Sequence, residues 1–113
     1  MAEPRMTVQT LLVLQVLLAV PDGEIYGLDV IKSSDLPPGT VYPLLQRLLD
    51  AGWVTDRWES LDPTQQGRPP RRYYRLTPSG VIKAQAALSN ADRRRASLVR
   101  LFDTSPRLRA EES

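Results

Sequence analysis

Residues 67–80 read GRPPRRYYRLTPSG and hold four arginines, Arg68, Arg71, Arg72 and Arg75, beside two adjacent tyrosines and no carboxylate. Guanidinium groups at this density suit phosphate oxygens or the negative potential of a DNA minor groove. Gly67 turns the segment, and Pro69 and Pro70 stiffen it, so less entropy is lost when it docks. Arg68, Arg71 and Arg72 are the residues expected to do so. The competing explanation is an arginine-rich hairpin that serves solubility, which the lack of interleaved acidic partners disfavours.

A second constellation precedes it. In TVYPLLQRLLDAG, Thr40 to Gly52, the apolar residues Val41, Leu44, Leu45, Leu48 and Leu49 recur at helical spacing, and Gly52 supplies a stop. Pro43 falls in or near the first turn, where few N–H groups have partners to lose. The opposite face offers Thr40, Tyr42, Gln46 and Arg47. A helix fits the major groove, where Gln46 suits adenine and Arg47 suits guanine or a phosphate. Asp50, three residues on, is the alternative partner for Arg47. Tyr26 is placed either to reach a phosphate with its hydroxyl or to pack in the core.

Other chemistries are poorly supplied. The 113 residues include no cysteine and no histidine, which removes disulfides, thiolate nucleophiles, histidine-based catalysis and most zinc sites. No close, helically phased pair of acids suggests a carboxylate enzyme. The chain is expected not to be an enzyme and to need no metal or cofactor. Its charge is uneven: residues 1–56 carry three basic and seven acidic groups, residues 57–113 twelve and six. A late excess of positive charge points to a polyanionic partner.

The elements that must position these residues follow from pattern. Leu11 to Val20, LLVLQVLLAV, is a helix so apolar that it needs cover on more than one side, from its own core or from a second subunit. At ten residues it is far short of the roughly 20 that span a bilayer. The segment before it is charge-balanced and no small-residue cleavage site follows, unlike an export signal. The expectation is a cytoplasmic protein. PDGE, Pro21 to Glu24, breaks the helix, and IYGLDVIKSS restarts one through Ile25, Leu28 and Ile31. SDLPPG then turns the chain into the helix of Thr40 to Gly52. Helix, short helix, turn and helix with a polar outer stripe make a helix-turn-helix.

Trp53 to Ser60 and Arg71 to Thr77 read as strands flanking a loop, Leu61 to Pro70: a β-wing. Arg72, Tyr74 and Leu76 share one face, with Tyr74 and Leu76 assigned to the core; Arg71, Tyr73 and Arg75 share the other. Trp53 and Trp58 are assigned to packing near the sheet. Thr77 caps a final helix with Pro78 at its first position. There Val81, Ala84, Leu88, Ala91, Arg95, Leu98 and Phe102 alternate spacings of three and four, a heptad seam suited to a dimer or to the helix's own domain. Asp92 to Arg95, DRRR, reads as a solvated face. The expected fold is mainly α with a small β-wing, a winged helix-turn-helix at 1–77, a dimerisation helix at 78–103 and a flexible tail at 104–113.

Two stretches, YGLDVIKSSDLPPGTVYPLLQRLLDAGWVTDRWE and GRPPRRYYRLTPSG, resemble the PadR-like winged helix-turn-helix transcriptional regulators, in the short subgroup with a single C-terminal helix. The resemblance covers about half the chain. It implies that GTVYPLLQRL is the recognition helix, so that Pro38, Gly39 and Pro43 join the DNA-facing surface, and that GRPPRRYYRLT is the wing tip and returning strand. It also implies a homodimer formed through the first and last helices, with Leu11, Leu14, Leu18, Val81, Ala84, Leu88, Ala91, Leu98 and Phe102 as its contact residues. Such a dimer binds a palindromic operator in double-stranded DNA and usually represses. The resemblance also implies that many relatives sense a small-molecule effector or another signal. Pro37 departs from the pattern by standing where relatives often carry a small capping residue, and the last helix lacks the aromatics that line a drug cavity in some of them. The competing function is a winged-helix module that binds proteins and not DNA.

Overall fold

The computed structural model describes residues 3–20, 23–60, 64 and 67–112, with side chains through Asp103. Pro21 and Asp22 of the expected helix break, and residues 61–63, 65 and 66 of the expected wing loop, lie outside the described residues. Helix α1 spans Val8–Leu18 and is capped by Thr7, whose hydroxyl accepts from the Thr10 N–H at 3.2 Å. Thr10, Val13, Leu14 and Leu17 bury one side of it.

Ile25–Tyr26 form a short strand β1 instead of the first turn of the second helix. They pair with Tyr74 and Tyr73 of a later strand, a non-local bond that local periodicity does not register. Tyr26 then caps helix α2, Gly27–Ser34, which buries Gly27, Val30 and Ser34. Leu28, assigned by spacing to the apolar face, is exposed. Asp35 ends α2 at φ 59°, in the left-handed region an aspartate tolerates.

Helix α3 spans Pro38–Asp50, two residues earlier than the pattern suggested, with Pro37 as N-cap and Pro38 at the first position. Pro43 is therefore in the second turn. It has no N–H for the Gly39 carbonyl, and Gly39 is exposed, where water can satisfy that oxygen. The other end closes as a Schellman motif: Trp53 N–H to Leu48 O at 2.9 Å and Gly52 N–H to Leu49 O at 3.1 Å, with Gly52 at φ 78°.

Strands β2, Val54–Trp58, and β3, Arg72–Leu76, pair antiparallel in the order β1-β3-β2. Val54 lies opposite Leu76, Asp56 opposite Tyr74 and Trp58 opposite Arg72. The wing is thus one edge of a three-stranded sheet. Tyr74 is buried and Leu76 half-buried, on the face the alternation indicated. The core gathers Val13 and Leu14 of α1, Val30 of α2, Val41, Leu45 and Leu48 of α3, and Trp53, Val54 and Tyr74.

Helix α4 runs Pro78–Glu112, past the expected boundary at 103; RLRAEE, residues 107–112, is rich in good helix formers. Its root is tightly seated. Thr77 Oγ1 donates to the Gly52 and Trp53 carbonyls, at 2.9 and 3.2 Å, and accepts from Gly80 N–H at 2.9 Å. A Cβ on Gly80 would overlap the Trp53 carbonyl oxygen. The remainder projects: the Cα radius of gyration is 19.0 Å and the longest dimension 74 Å, where a compact domain of about 100 residues measures roughly 13 Å in radius. Among the described residues no helix is long and apolar enough to cross a membrane.

Candidate nucleic-acid interface

The buried side of α3 consists of Val41, Leu44, Leu45 and Leu48, so helical geometry turns Pro38, Gly39, Tyr42, Pro43, Gln46 and Arg47 to the surface; Thr40 is half-buried. Tyr42 leans on the start of α2: a Cβ at Gly27 would come within 3.2 Å of both Tyr42 Cε1 and Tyr74 Cε2. The glycine therefore allows the helix and the sheet to close on one another. Arg47 does not pair with Asp50. That carboxylate accepts from Gln46 Nε2 at 3.0 Å, and Arg47 makes no ion pair among the described residues. Gln46 is tied through its amide nitrogen to Asp50, while Arg47 remains available to a base edge or phosphate.

The wing is different. Segment 67–80 contains no acid, but the sheet supplies acids from elsewhere. Glu59 accepts from Arg68 Nη1 at 2.7 Å. Asp56 accepts from Arg72 Nε at 2.7 Å and lies 2.5 Å from its Nη2. Glu24 takes Arg57 with two bonds, 2.6 and 2.7 Å. The expectation that the wing arginines lack acidic partners is corrected here. Because Trp58 faces Arg72 and Asp56 faces Tyr74, the antiparallel register makes Asp56 and Arg72 diagonal neighbours on one face.

Glu59 is the hub of the tip. It also accepts from the Arg71 N–H at 3.2 Å and the Tyr73 hydroxyl at 3.4 Å. The Arg68 hydrogen bond, aided by the Arg71 N–H, holds its carboxyl below the usual carboxylate range, and Glu59 in turn raises Arg68. Glu24 raises Arg57 in the same way. Burial pushes the Tyr74 phenol up, opposed by the nearby Arg72 guanidinium.

Arg71 forms no ion pair among the described residues. Its guanidinium carbon stands 5.1 Å from the Tyr26 ring centroid. Tyr26 is half-buried and its ring lies 6.0 Å from that of Tyr73, so packing and an outer position coexist in one residue. Gly67, at φ 67°, shapes the described end of the loop. Two residues were not among the sequence candidates. Trp58, assigned to packing, is 61% exposed with Arg72 over its ring, whereas Trp53 is 5% exposed and in the core. Asp56 was missed because its role depends on strand register, which no local pattern fixes.

The residues expected at a subunit contact divide in two. Leu14 and Ala84 are fully buried within the protomer and have no surface to give a partner, which corrects their assignment. Leu11, Leu18, Val81, Leu88 and Ala91 are half-buried. Leu98 and Phe102 are 56% and 74% exposed, alongside exposed Val99 and Leu101.

A helix-turn-helix whose second helix projects a polar ridge, beside a basic antiparallel wing, defines a winged-helix regulator that binds DNA. The chain is similar in fold to a PadR-like transcription factor from Bacteroides fragilis (24% identity, 86% of this chain and 92% of that one covered, TM-score 0.65). It is likewise similar to a transcriptional regulator homologue from Pyrococcus horikoshii OT3 (24% identity, 79% and 81% covered, TM-score 0.62). A third likeness is to MepR, a transcription regulator of the Staphylococcus aureus multidrug efflux pump MepA (23% identity, 84% and 64% covered, TM-score 0.62). Comparison with curated protein sequences gives no match. The transcriptional regulator PadR-like family matches residues 16–86, and this chain belongs to it. That family is one of transcriptional regulators, not of enzymes.

Proposed function

We propose that this protein is a sequence-specific repressor that binds a palindromic operator as a homodimer in the cytoplasm. The observation that carries the reading is the division of α3: four apolar residues anchor one side in the core while Tyr42, Gln46 and Arg47 stand out from the other. Gln46 and Arg47 serve as base-reading side chains, and Pro38, Gly39, Thr40 and Pro43 allow close approach to the groove wall. Arg71, with Arg68 and Arg72 once released from their carboxylates, contacts flanking phosphates, and Tyr26 supports Arg71. The distal half of α4 supplies the subunit contact, because Leu98, Leu101 and Phe102 form an apolar stripe that a second copy would cover. Two copies would then present α3 at adjacent major grooves, roughly 34–36 Å apart.

Selection from a random duplex library tests the reading. The expected product is an inverted repeat, and fluorescence anisotropy on it should show log K falling linearly with log salt. A flat salt response, or sedimentation at monomer mass under binding conditions, would reject it.

A further inference from the structure

Trp58 is the exposed large apolar residue of β2 and β3 among the described residues. Its ring is not adrift. The Arg72 guanidinium carbon lies 5.6 Å from the Trp58 ring centroid and 5.1 Å from that of Tyr74, and Asp56 grips the same guanidinium. In the free protein the paired guanidinium rests against the indole and restrains it, and burying an aromatic that is already restrained loses less side-chain entropy.

The face on which Trp58 stands follows from alternation. Val54, Asp56 and Trp58 share one side of β2, and Val54 is buried in the core. Tyr74, opposite Asp56, closes on Gly27 together with Tyr42 of α3. Tyr42, on the exposed ridge of α3, and Tyr74 both crowd Gly27, and Arg72 in turn links Tyr74 to Trp58. The indole emerges on the sheet face that looks toward α3, at the outer end of the wing, opposite Arg72.

We infer that Trp58 is a DNA-contacting residue, packing its indole against the deoxyribose wall of the minor groove that flanks the segment read by α3. This rests on the DNA-binding reading above and adds to it an apolar contact that the charge pattern does not contain. The chemistry is complementary: sugar C–H groups meet the indole face while the adjoining phosphates meet Arg72 beside it. Such a contact carries no base information, so it strengthens binding to every duplex alike.

The two tryptophans make the test direct. Acrylamide quenching of the full-length protein reports mainly Trp58, since Trp53 is buried. Adding a mixed-sequence duplex at low salt should shield that fluorescence, and in Trp58→Phe the DNA-dependent shielding should vanish. Anisotropy with the same duplex should show Trp58→Ala binding about fivefold to tenfold more weakly, and Trp58→Phe close to wild type, as an aromatic contact requires. Thermal unfolding checks that both variants fold. If wild type binds the duplex while Trp58 stays fully quenchable and Trp58→Ala binds normally, the inference falls and the DNA-binding reading stands. If wild type shows no binding in the anisotropy assay, both fall together.

Discussion

Helix α3 and the wing present positive charge by opposite means. α3 is positioned by apolar burial, and Arg47 on its outer ridge has no ion-pair partner among the described residues. The wing reaches past the core and is braced by ion pairs, so Arg57, Arg68 and Arg72 are each already bound to a carboxylate. Exposed pairs of this kind are screened by solvent and weak enough for a phosphate to displace the carboxylate. The exchange releases fewer counterions than a free arginine would. Under the proposed function, a count of arginines in the wing would therefore overstate its contribution to affinity, while Arg47 would count in full.

The sharpest break of this comparison is in the anchoring. Leu45→Ala should destabilise the fold by about 3 kcal/mol in chemical denaturation, whereas Asp56→Asn should stay within about 1 kcal/mol of wild type. Next comes DNA binding. Arg47→Ala should weaken operator binding tenfold or more, about 1–3 kcal/mol, and relax sequence preference, while Arg68→Ala should cost only a fewfold and affect all sequences alike. A reversed order would mean that the wing dominates.

Neutralising the hub runs the other way. Glu59→Gln frees Arg68, so affinity for a mixed-sequence duplex should rise and the log–log salt slope should steepen by about 0.9. An unchanged slope would show that Glu59 only braces the tip. The smallest effect concerns acid. The folded Glu59 carboxyl titrates below its ordinary value of 4.5, so its stabilising contribution is present above that value and lost as pH falls through the lower folded one. The stability difference between wild type and Glu59→Gln should accordingly shrink toward zero in acid unfolding curves, and the Glu59 carboxyl resonance should titrate below the usual range.

Much of α3 was legible because apolar spacing on a helix records burial directly, and Val41, Leu44, Leu45 and Leu48 are the residues buried. The faces of β3 were legible for the same reason. What escaped depends on non-local geometry. β1 is two residues paired with Tyr73 and Tyr74 of the distant strand β3, and the Asp56–Arg72 and Glu59–Arg68 pairs exist only once the hairpin register is set. The heptad of α4 escaped in another way: its periodicity is the same whether a helix packs on its own domain, as Ala84 does, or stands free, as Phe102 does. Periodicity does not reveal where the domain ends beneath the helix.

The junction at Gly80 has a mechanical consequence. Backbone rests on backbone there, with Thr77 bolted to two carbonyls at the exit of α3, and no pliable side chain cushions the joint. From Gly80 to Leu98 the helix extends about 27 Å, which makes it a crank arm welded to the DNA-reading head. In the proposed homodimer a twist delivered near Phe102 would turn the head instead of dissipating at the weld, so the angle at which two such arms cross would set the gauge between their heads.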